Sequence, residues 1–447
     1  MRGNISLENG DIKSLLVKYS IPAIIGMLVS ALYNVVDRIF IGNMKEVGAL
    51  AITGIGITMP IMTIVLAFSM LIGIGATANI SIKLGEKKRE SAEKIIGNII
   101  TLSIIVGIVL TLIGYLFKRE ILIAFGASSS TIIYAEEYIG IILLGSVFSI
   151  MGYALNSSIR ADGSPKICSS IMIISCFLNI ILDPILIFVF GLGIKGAAYA
   201  TVSSQVLTLI LSAAYYKSKK SDLKIKSKNL KLDLRIVKLV LGIGVSPFAM
   251  QLATSMVQVI NNNALKIYGG DLAIGAMATV NAIAMLCFMP VYGISQGAQP
   301  VIGYNYGARK YDRVEEAYKI SVKAGVVIFL VCLIGVEFFP EIIVRLFNKN
   351  KDIMEISING LRIYLSAMPF IALGMAGGNY FLAIGKGKEA MFLSLLRQVV
   401  LLVPLIVILS KFYGLNGIWL SQPISDVVSA TITTFMVKSN IKLYKKS

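Results

Sequence analysis

Residues 48–88 read GALAITGIGITMPIMTIVLAFSMLIGIGATANISIKLGEKK, and residues 270–310 read GDLAIGAMATVNAIAMLCFMPVYGISQGAQPVIGYNYGARK. GALAI meets GDLAI and LGEKK meets YGARK at one constant offset of 222 residues. Ile72, Gly75 and Ala76 fall on Ile294, Gly297 and Ala298 in the same register, and ADGSPK (161–166) falls on AIGKGK (383–388). With small gaps, SIP (20–22) meets VSP (245–247) at offset 225, and Pro184 meets Pro404 at offset 220. Apolar helices resemble one another by composition alone, but loop motifs held in one register do not. The chain is therefore an internal duplication, with halves of about 1–220 and 225–447.

Outward from these stretches the whole chain is apolar. Of 447 residues, 56% are hydrophobic and only 15% are charged, and the mean hydropathy is +0.81. A soluble protein carries about 25% charged residues. A soluble enzyme, a disordered chain and a disulfide-stapled secreted domain are excluded, which leaves a polytopic membrane protein. Apolar runs between charged or Gly/Pro-rich breaks predict twelve spans, at 15–41, 50–82, 95–116, 131–158, 167–190, 194–216, 236–265, 272–304, 319–339, 355–384, 389–410 and 415–437. The expected fold is all-α, with twelve transmembrane helices in two six-helix bundles related by pseudo-two-fold symmetry. The N-lobe would be 1–216, a basic cytoplasmic linker 217–235 and the C-lobe 236–447. Six is even, so the halves enter the membrane in the same direction and form parallel repeats about an axis along the membrane normal. Two such bundles enclose a cavity and rock around it, the architecture of a transporter.

The net charge is +18. In a soluble protein this would suggest nucleic acid; here it follows the bias of basic residues towards cytoplasmic loops. With the N-terminus inside, 31 of the 42 Lys and Arg residues fall on the cytoplasmic side, and the alternation holds across all twelve spans. Both termini are expected in the cytoplasm. The most charged stretch, KSKKSDLKIKSKNLKLDLR (217–235), reads as a solvated linker beside anionic lipid. The first twenty residues lack the apolar core and cleavage site of a secretory signal and read as a polar arm. There is no histidine, so no His-based metal site, triad or proton relay. Cys168, Cys176, Cys287 and Cys332 lie in apolar stretches without a CxxC pair and read as core residues.

An ionisable residue at membrane depth is costly and marks function by default. Asp37 in span 1 and Asp183 in span 5 lie roughly 8 and 12 Å from the outer ends of their spans, and Thr201 in span 6 roughly 10 Å, by helical rise. Three helices thus bring oxygen-bearing side chains to one depth. Asn179 is four residues before Asp183 and shares its face. Pro184 cannot donate to the Ile180 carbonyl and disturbs the helix locally. Such oxygens suit Na⁺, held by Asp37, Asn179, Asp183 and Thr201, or a carboxylate that exchanges protons. Asp37 beside Arg38 also reads as an interfacial ion pair, and Asp183 as a cap at a proline kink. Tyr33 and Met172 share these faces, where aromatic and methionine side chains suit organic cations, although core packing is their commoner role. The second half offers Gln251, Gln258 and Asn261–Asn263 in span 7 but no deep acid in spans 7, 8 or 10. Arg397 and Asp426, roughly 12 and 16 Å from the inner face by helical rise, read as a structural ion pair.

With SIPAIIGMLVSALYNVVDRIFIGN, the ADGSPK loop and NIILDPILIFVFGLGIKGAAYAT, the chain resembles the multidrug and toxic compound extrusion (MATE) transporters over its whole length, nearest to the bacterial branch that exports cationic drugs. The resemblance implies a V-shaped pair of six-helix bundles and antiport of organic cations against Na⁺ or H⁺. It carries a coupling site onto Asp37, Asn179, Asp183, the Ala197 carbonyl and Thr201, and a lining of the N-lobe cavity onto Tyr33, Tyr138, Asn156 and Met172. Second-lobe acids found in some members are absent, so coupling would rest on the first lobe. The expected function is cation-coupled multidrug efflux. The alternative is a lipid-linked oligosaccharide flippase, which would need a cationic cavity that Arg38 and Arg397 scarcely supply. A membrane enzyme would have only the two carboxylates to work with and is not expected. No cofactor beyond the coupling ion is expected. The expected setting is a monomer in a bacterial cytoplasmic membrane, with drugs and lipid as its partners.

Overall fold

The computed structural model describes residues 7–42, 44, 48–347 and 351–446, without the side chains of Asn34, Arg38, Gly48, Ala49, Leu50, Ile52, Lys445 and Lys446. Among the described residues all regular structure is helical. The spans are α1 (Ile12–Gly42), α2 (Gly48–Gly85), α3 (Arg89–Leu116), α4 (Ile132–Leu144 and Ser146–Ala161), α5 (Pro165–Pro184, prolonged by a π turn at Ile185–Val189) and α6 (Ile194–Lys217). A stretch of 74 helical residues, Leu234–Gly307, would be about 110 Å long, far beyond a hydrocarbon core of about 30 Å. Gly270, at φ 64°, breaks it into α7 (234–269) and α8 (271–307). Then come α9 (Tyr311–Phe338) and α10 (Lys351–Leu365 and Met368–Ala383). Finally α11 (387–413) and α12 (415–446) part at Gly414, φ 57°. The twelve predicted spans are present.

The duplication is written in the backbone more sharply than in the side chains. Lys87 and Arg309, 222 apart, both take positive φ, at 60° and 58°; so do Gly163 and Gly385, at 88° and 84°. Each of these four turns closes with the bond that ends a helix in a left-handed residue: Lys88 N–H to Lys83 O, Lys310 to Asn305, Ser164 to Ile159 and Lys386 to Phe381, at 2.8–3.2 Å. Both α4 and α10 bend by 51° at matching positions. Short helices Lys118–Ala124 and Pro340–Phe347 also begin 222 residues apart.

Contacts sort the residues into two units. Ile25–Phe248 makes the body of one; Gly10–Ile24 with the residues from Ala249 onward makes the other. This is not the same division as the halves of the duplication, because the first turns of α1 and α7 each pack with the opposite half. In the first unit α7 crosses α2 so closely that a Cβ on Gly75 would lie 2.1 Å from the Val240 carbonyl oxygen, and one on Gly244 would lie 1.7 Å from that of Leu71. Asn79 Nδ2 ties the crossing by donating to Leu239 O at 3.1 Å. In the second unit α1 crosses α8 in the same way, with Gly297 and Gly293 against the backbone of Ser20 and Ile24. The equivalent glycines of the repeat, Gly75 and Gly297, thus serve equivalent crossings.

The basic segment 217–235 is not a solvated tether. Leu223 is fully buried. Asn98 on α3 receives the Asp233 N–H at 2.7 Å, and Thr101 donates to Leu230 O at 2.6 Å. Glu93 pairs with Lys226. Ser221 and Tyr215 donate to Asp162 Oδ2, at 2.6 and 2.8 Å. Charge composition hid this docking, because a run of lysines reads as solvated, whereas here Leu223, Ser221, backbone hydrogen bonds and the Lys226–Glu93 pair hold the segment down.

Gly244→Ala is expected to destabilise the protein by on the order of 1–3 kcal/mol through overpacking. Gly242→Ala, which meets nothing within 4 Å, is expected to be neutral or stabilising. Thermal unfolding in detergent separates the two. At the linker, burial pushes the Asp162 carboxyl up from 3.8 to about 6 despite its two hydroxyl donors. The native state therefore binds the proton more tightly than the unfolded chain, and the dock is firmest near pH 4 and loosens as pH rises through about 6. Amide exchange at 218–223, corrected for its intrinsic rate, is expected to quicken over that window in the native sequence and to stay level in Asp162→Asn.

Candidate ion and substrate site

The candidate residues of the first half all lie in the first unit. α5 supplies Asn179 and Asp183, four residues apart on one face. The α-helix ends at Pro184, which has no N–H for the Ile180 carbonyl. The chain then continues as a π turn, marked by the Phe190 N–H to Ile185 O bond at 2.9 Å. Gly193, at φ 55°, turns it sharply into α6. That tight return sets Ala197 and Thr201 against the end of α5.

Asp183 is fully buried, and Asn179 and Thr201 nearly so. Oriented so that donor meets acceptor, the Asn179 amide donates to Asp183 Oδ2 at 3.1 Å and accepts from the Thr201 backbone N–H at 3.2 Å. The second bond competes for the N–H that would otherwise serve the Ala197 carbonyl, four residues back in α6. Asp183 Oδ1 has no hydrogen-bond partner among the described residues. Asp37, from α1, comes within hydrogen-bonding reach of the Asp183 carboxyl. Its neighbour Arg38 has a side chain outside the described ones, so the interfacial pair read from the sequence falls there.

Two tyrosines close the group. Tyr33 faces Cys176, Asp37 and Asp183. Tyr138 hydrogen-bonds with Thr201 and lies near both carboxyls. Tyr138 is also packed in the apolar core of this unit, beside residues such as Ile41, Ile55, Ile187 and Ala197. Met172 reaches α1, where its Cε would be 2.4 Å from a Cβ on Gly26. Asn156 stands apart. It is 18 residues beyond Tyr138 in α4, roughly 27 Å along the axis by helical rise, and is buried with no partner for Oδ1 among the described residues. The structure thus brings Asp37, Asn179, Asp183, Ala197, Thr201, Tyr33 and Tyr138 together, sets Met172 against α1, and leaves Asn156 elsewhere.

The second unit holds a different cluster. Arg397 Nη1 donates to Asp426 Oδ1 at 3.0 Å, and Gln422 Nε2 donates to both oxygens of the same carboxyl, at 3.1 and 3.0 Å. Tyr364 donates to Gln422 Oε1 at 3.3 Å. Arg397 sits in a π segment, Leu396–Leu402, whose widened turn directs it at α12. The sequence pairs Arg397 with Asp426 but gives no sign of Gln422 and Tyr364, because neither is unusual in an apolar helix.

What the arrangement can do is specific. A pair of neighbouring carboxyls, one of them fully buried and lacking a donor at Asp183 Oδ1, is completed by a proton or by a small cation that takes oxygen ligands. Among the described residues no group of three or more His, Cys, Asp or Glu is placed to hold a metal ion.

The chain has counterparts among known proteins. The MatE family model matches residues 22–185 and 247–408, one match in each half. The chain is 28% identical over 432 residues to the multidrug export protein MepA of Staphylococcus haemolyticus, covering 97% of this chain and 94% of that one. A crystal structure described as MATE in the bent conformation superposes with a TM-score of 0.94 at 26% identity, covering 100% of this chain and 99% of the other. A transporter of the MOP superfamily from Pyrococcus furiosus, for which a reversed polarity of the binding pocket is taken to suggest a different function, superposes with a TM-score of 0.93 at 27% identity over 99% of both chains.

Asn179→Leu is expected to orphan Asp183 Oδ2 and the Thr201 N–H, each at about 1–3 kcal/mol when buried. The expected result is a lower thermal midpoint than for Asn179→Gln or for substitutions on the exposed face of α5, such as Ile181→Leu. An unchanged midpoint would show that the amide bridge is not formed.

Proposed function

Since the chain belongs to the MatE family, whose members are transporters and not enzymes, we propose that it is a secondary active multidrug exporter. It moves organic cations out across a bacterial plasma membrane in exchange for Na⁺ or H⁺. The observation that carries the reading is the contact of the Asp37 carboxyl with the fully buried Asp183 carboxyl, whose Oδ1 is left without a donor among the described residues. Its relatives named as multidrug export proteins support the substrate class.

In this reading the ion enters from outside and joins the two carboxyls, with Asn179 holding Asp183 in place and Thr201 and the Ala197 carbonyl completing the oxygen set. The drug and the ion favour different arrangements of the helices, and that differential affinity is what couples their movements. Tyr33, over the carboxyls, is suited to the face of an organic cation. The N- and C-termini lie in the cytoplasm, by the distribution of Lys and Arg. The flippase reading draws no support from the second unit, where Arg397 is already engaged by Asp426.

Purified protein in liposomes, loaded with ethidium and subjected separately to Na⁺ and H⁺ gradients, tests the proposal. One gradient is expected to drive export, and Asp183→Asn is expected to reduce driven export to the level of protein-free liposomes while keeping the native thermal midpoint. Undiminished driven export by that variant would remove Asp183 from the coupling site. Absence of driven export by the native protein would overturn the antiport reading.

A further inference from the structure

We propose that a groove between α10 and α12, remote in sequence from the carboxyl site, holds one acyl chain of an anionic membrane phospholipid whose headgroup rests on Lys438 and Lys442. The groove has a volume of about 330 Å³, with Phe370 and Leu373 on one wall and Thr431, Thr434 and Phe435 on the other, and it ends at Lys438.

On the face of α10 that carries Phe370, the next two turns have no side chain. Phe370, Gly374 and Gly378 are four residues apart and share one face of α10. A Cβ on Gly374 or Gly378 would meet nothing within 4 Å, whereas one on the intervening Gly377 would strike Thr433 Cγ2 at 2.2 Å. Gly377 is therefore needed for helix packing, whereas a side chain at Gly374 or Gly378 would stand in open space beside Phe370 and Leu373 in the chain.

The walls are dry. Thr431 and Thr434, the polar residues along them, each donate to their own helix, to Val427 O and Ala430 O, both at 2.8 Å. No hydroxyl is left seeking a partner, so the trough suits an alkyl chain rather than water or a polar solute. Phe370 is 42% exposed and Phe435 is 74% exposed, and both are apolar rings that only hydrocarbon would cover well.

The end of the groove has the opposite character. Lys438 and Lys442 lie one turn apart on α12, neither enters an ion pair among the described residues, and no acid follows Asp426 in the chain. A lysine at the end of an apolar trough lays its stem along the hydrocarbon and carries its charge to the headgroup level. Two cations without a protein counter-ion complement a phosphate in an anionic leaflet. The groove also starts one turn beyond the 51° break of α10, so its occupant would lie against the second limb of a bent helix.

The test is photolabelling of the full-length protein in nanodiscs with two phospholipids that carry the same diazirine acyl chain, one phosphatidylglycerol and one phosphatidylcholine. The glycerol lipid is expected to label peptides 370–378 and 430–438 about fivefold more than the choline lipid, the preference that one basic side chain at an anionic surface confers. Replacing both lysines, Lys438→Gln with Lys442→Gln, is expected to bring the two to equality, and Lys438→Arg with Lys442→Arg to restore the preference. Gly374→Leu, with a native thermal midpoint, is expected to remove adducts from these peptides and to spare those on α3. Equal labelling by the two lipids in the native protein, or adducts unchanged by Gly374→Leu, would mark the groove as ordinary lipid annulus and overturn the proposal.

Discussion

In hydrocarbon each peptide N–H and C=O must find a partner inside the protein, at several kcal/mol for every failure. That constraint decides most of this structure. It makes all the spans helical. It confines the sharp turns of each half to short loops closed by their own backbone bonds, as at Lys88 and Lys310. It sends the buried hydroxyls back onto their own helices: Ser69, Thr77, Ser204 and Ser321 each donate to the carbonyl four residues earlier. Where the chain departs from the α-helix inside a span, the departure has something to answer for. The π turn after Pro184 follows a carbonyl without a donor, and the one around Arg397 turns a guanidinium towards a buried carboxylate.

Duplication then gave two copies of one backbone, and the chemistry diverged within it. Gly193 and Gly414 are equivalent breaks, 221 residues apart, so Thr201 corresponds to Gln422 and Ala198 to Trp419. Asp183 corresponds to Val403 through the matched prolines, and Asp37 to Asn262 through the SIP and VSP motifs. Bulk moves along with charge. Tyr138 in α4 corresponds to Gly360 in α10, and a Cβ on Gly360 would lie 2.8 Å from the ring of Trp419. A tyrosine beside an alanine in one half is thus answered by a glycine beneath a tryptophan in the other, and the same space is filled from the opposite helix. The second half replaces Asp183 by an apolar residue and Asp37 and Thr201 by uncharged amides, and it places its deep acid a turn further along, already neutralised by arginine.

This explains what the sequence could and could not reveal. Periodicity and charge place the spans because hydrocarbon imposes both. The meeting of Asp37, Asn179, Asp183 and Thr201 is legible because their depths can be counted along straight helices from a common face. The Met172 contact with α1 is not legible, since depth says nothing of azimuth. Asn156 can be assigned to the cavity only by resemblance, because it lies in the other limb of the bent α4 from Tyr138, where counting along one helix does not lead to it. The docked linker escapes a reading by charge, because lysines advertise a solvated strand while Leu223, Ser221 and backbone carbonyls hold it down. The glycine crossings escape too, as a close approach of two helices leaves no mark but an absent side chain.

The carboxyl pair sets the requirement that makes the first half chemically active. Two carboxyl groups in reach of one another repel when both are charged, and the burial of Asp183 weakens the screening of that repulsion. The Asn179 amide relieves only part of it, with one N–H on Asp183 Oδ2 and its oxygen accepting from the Thr201 N–H. A proton or a small cation from solution would relieve that repulsion, which is the physical basis of the proposed coupling. In that reading the electrostatic balance of the site depends on a mobile ion, and a site whose balance depends on a mobile ion changes its own stability whenever that ion binds or leaves.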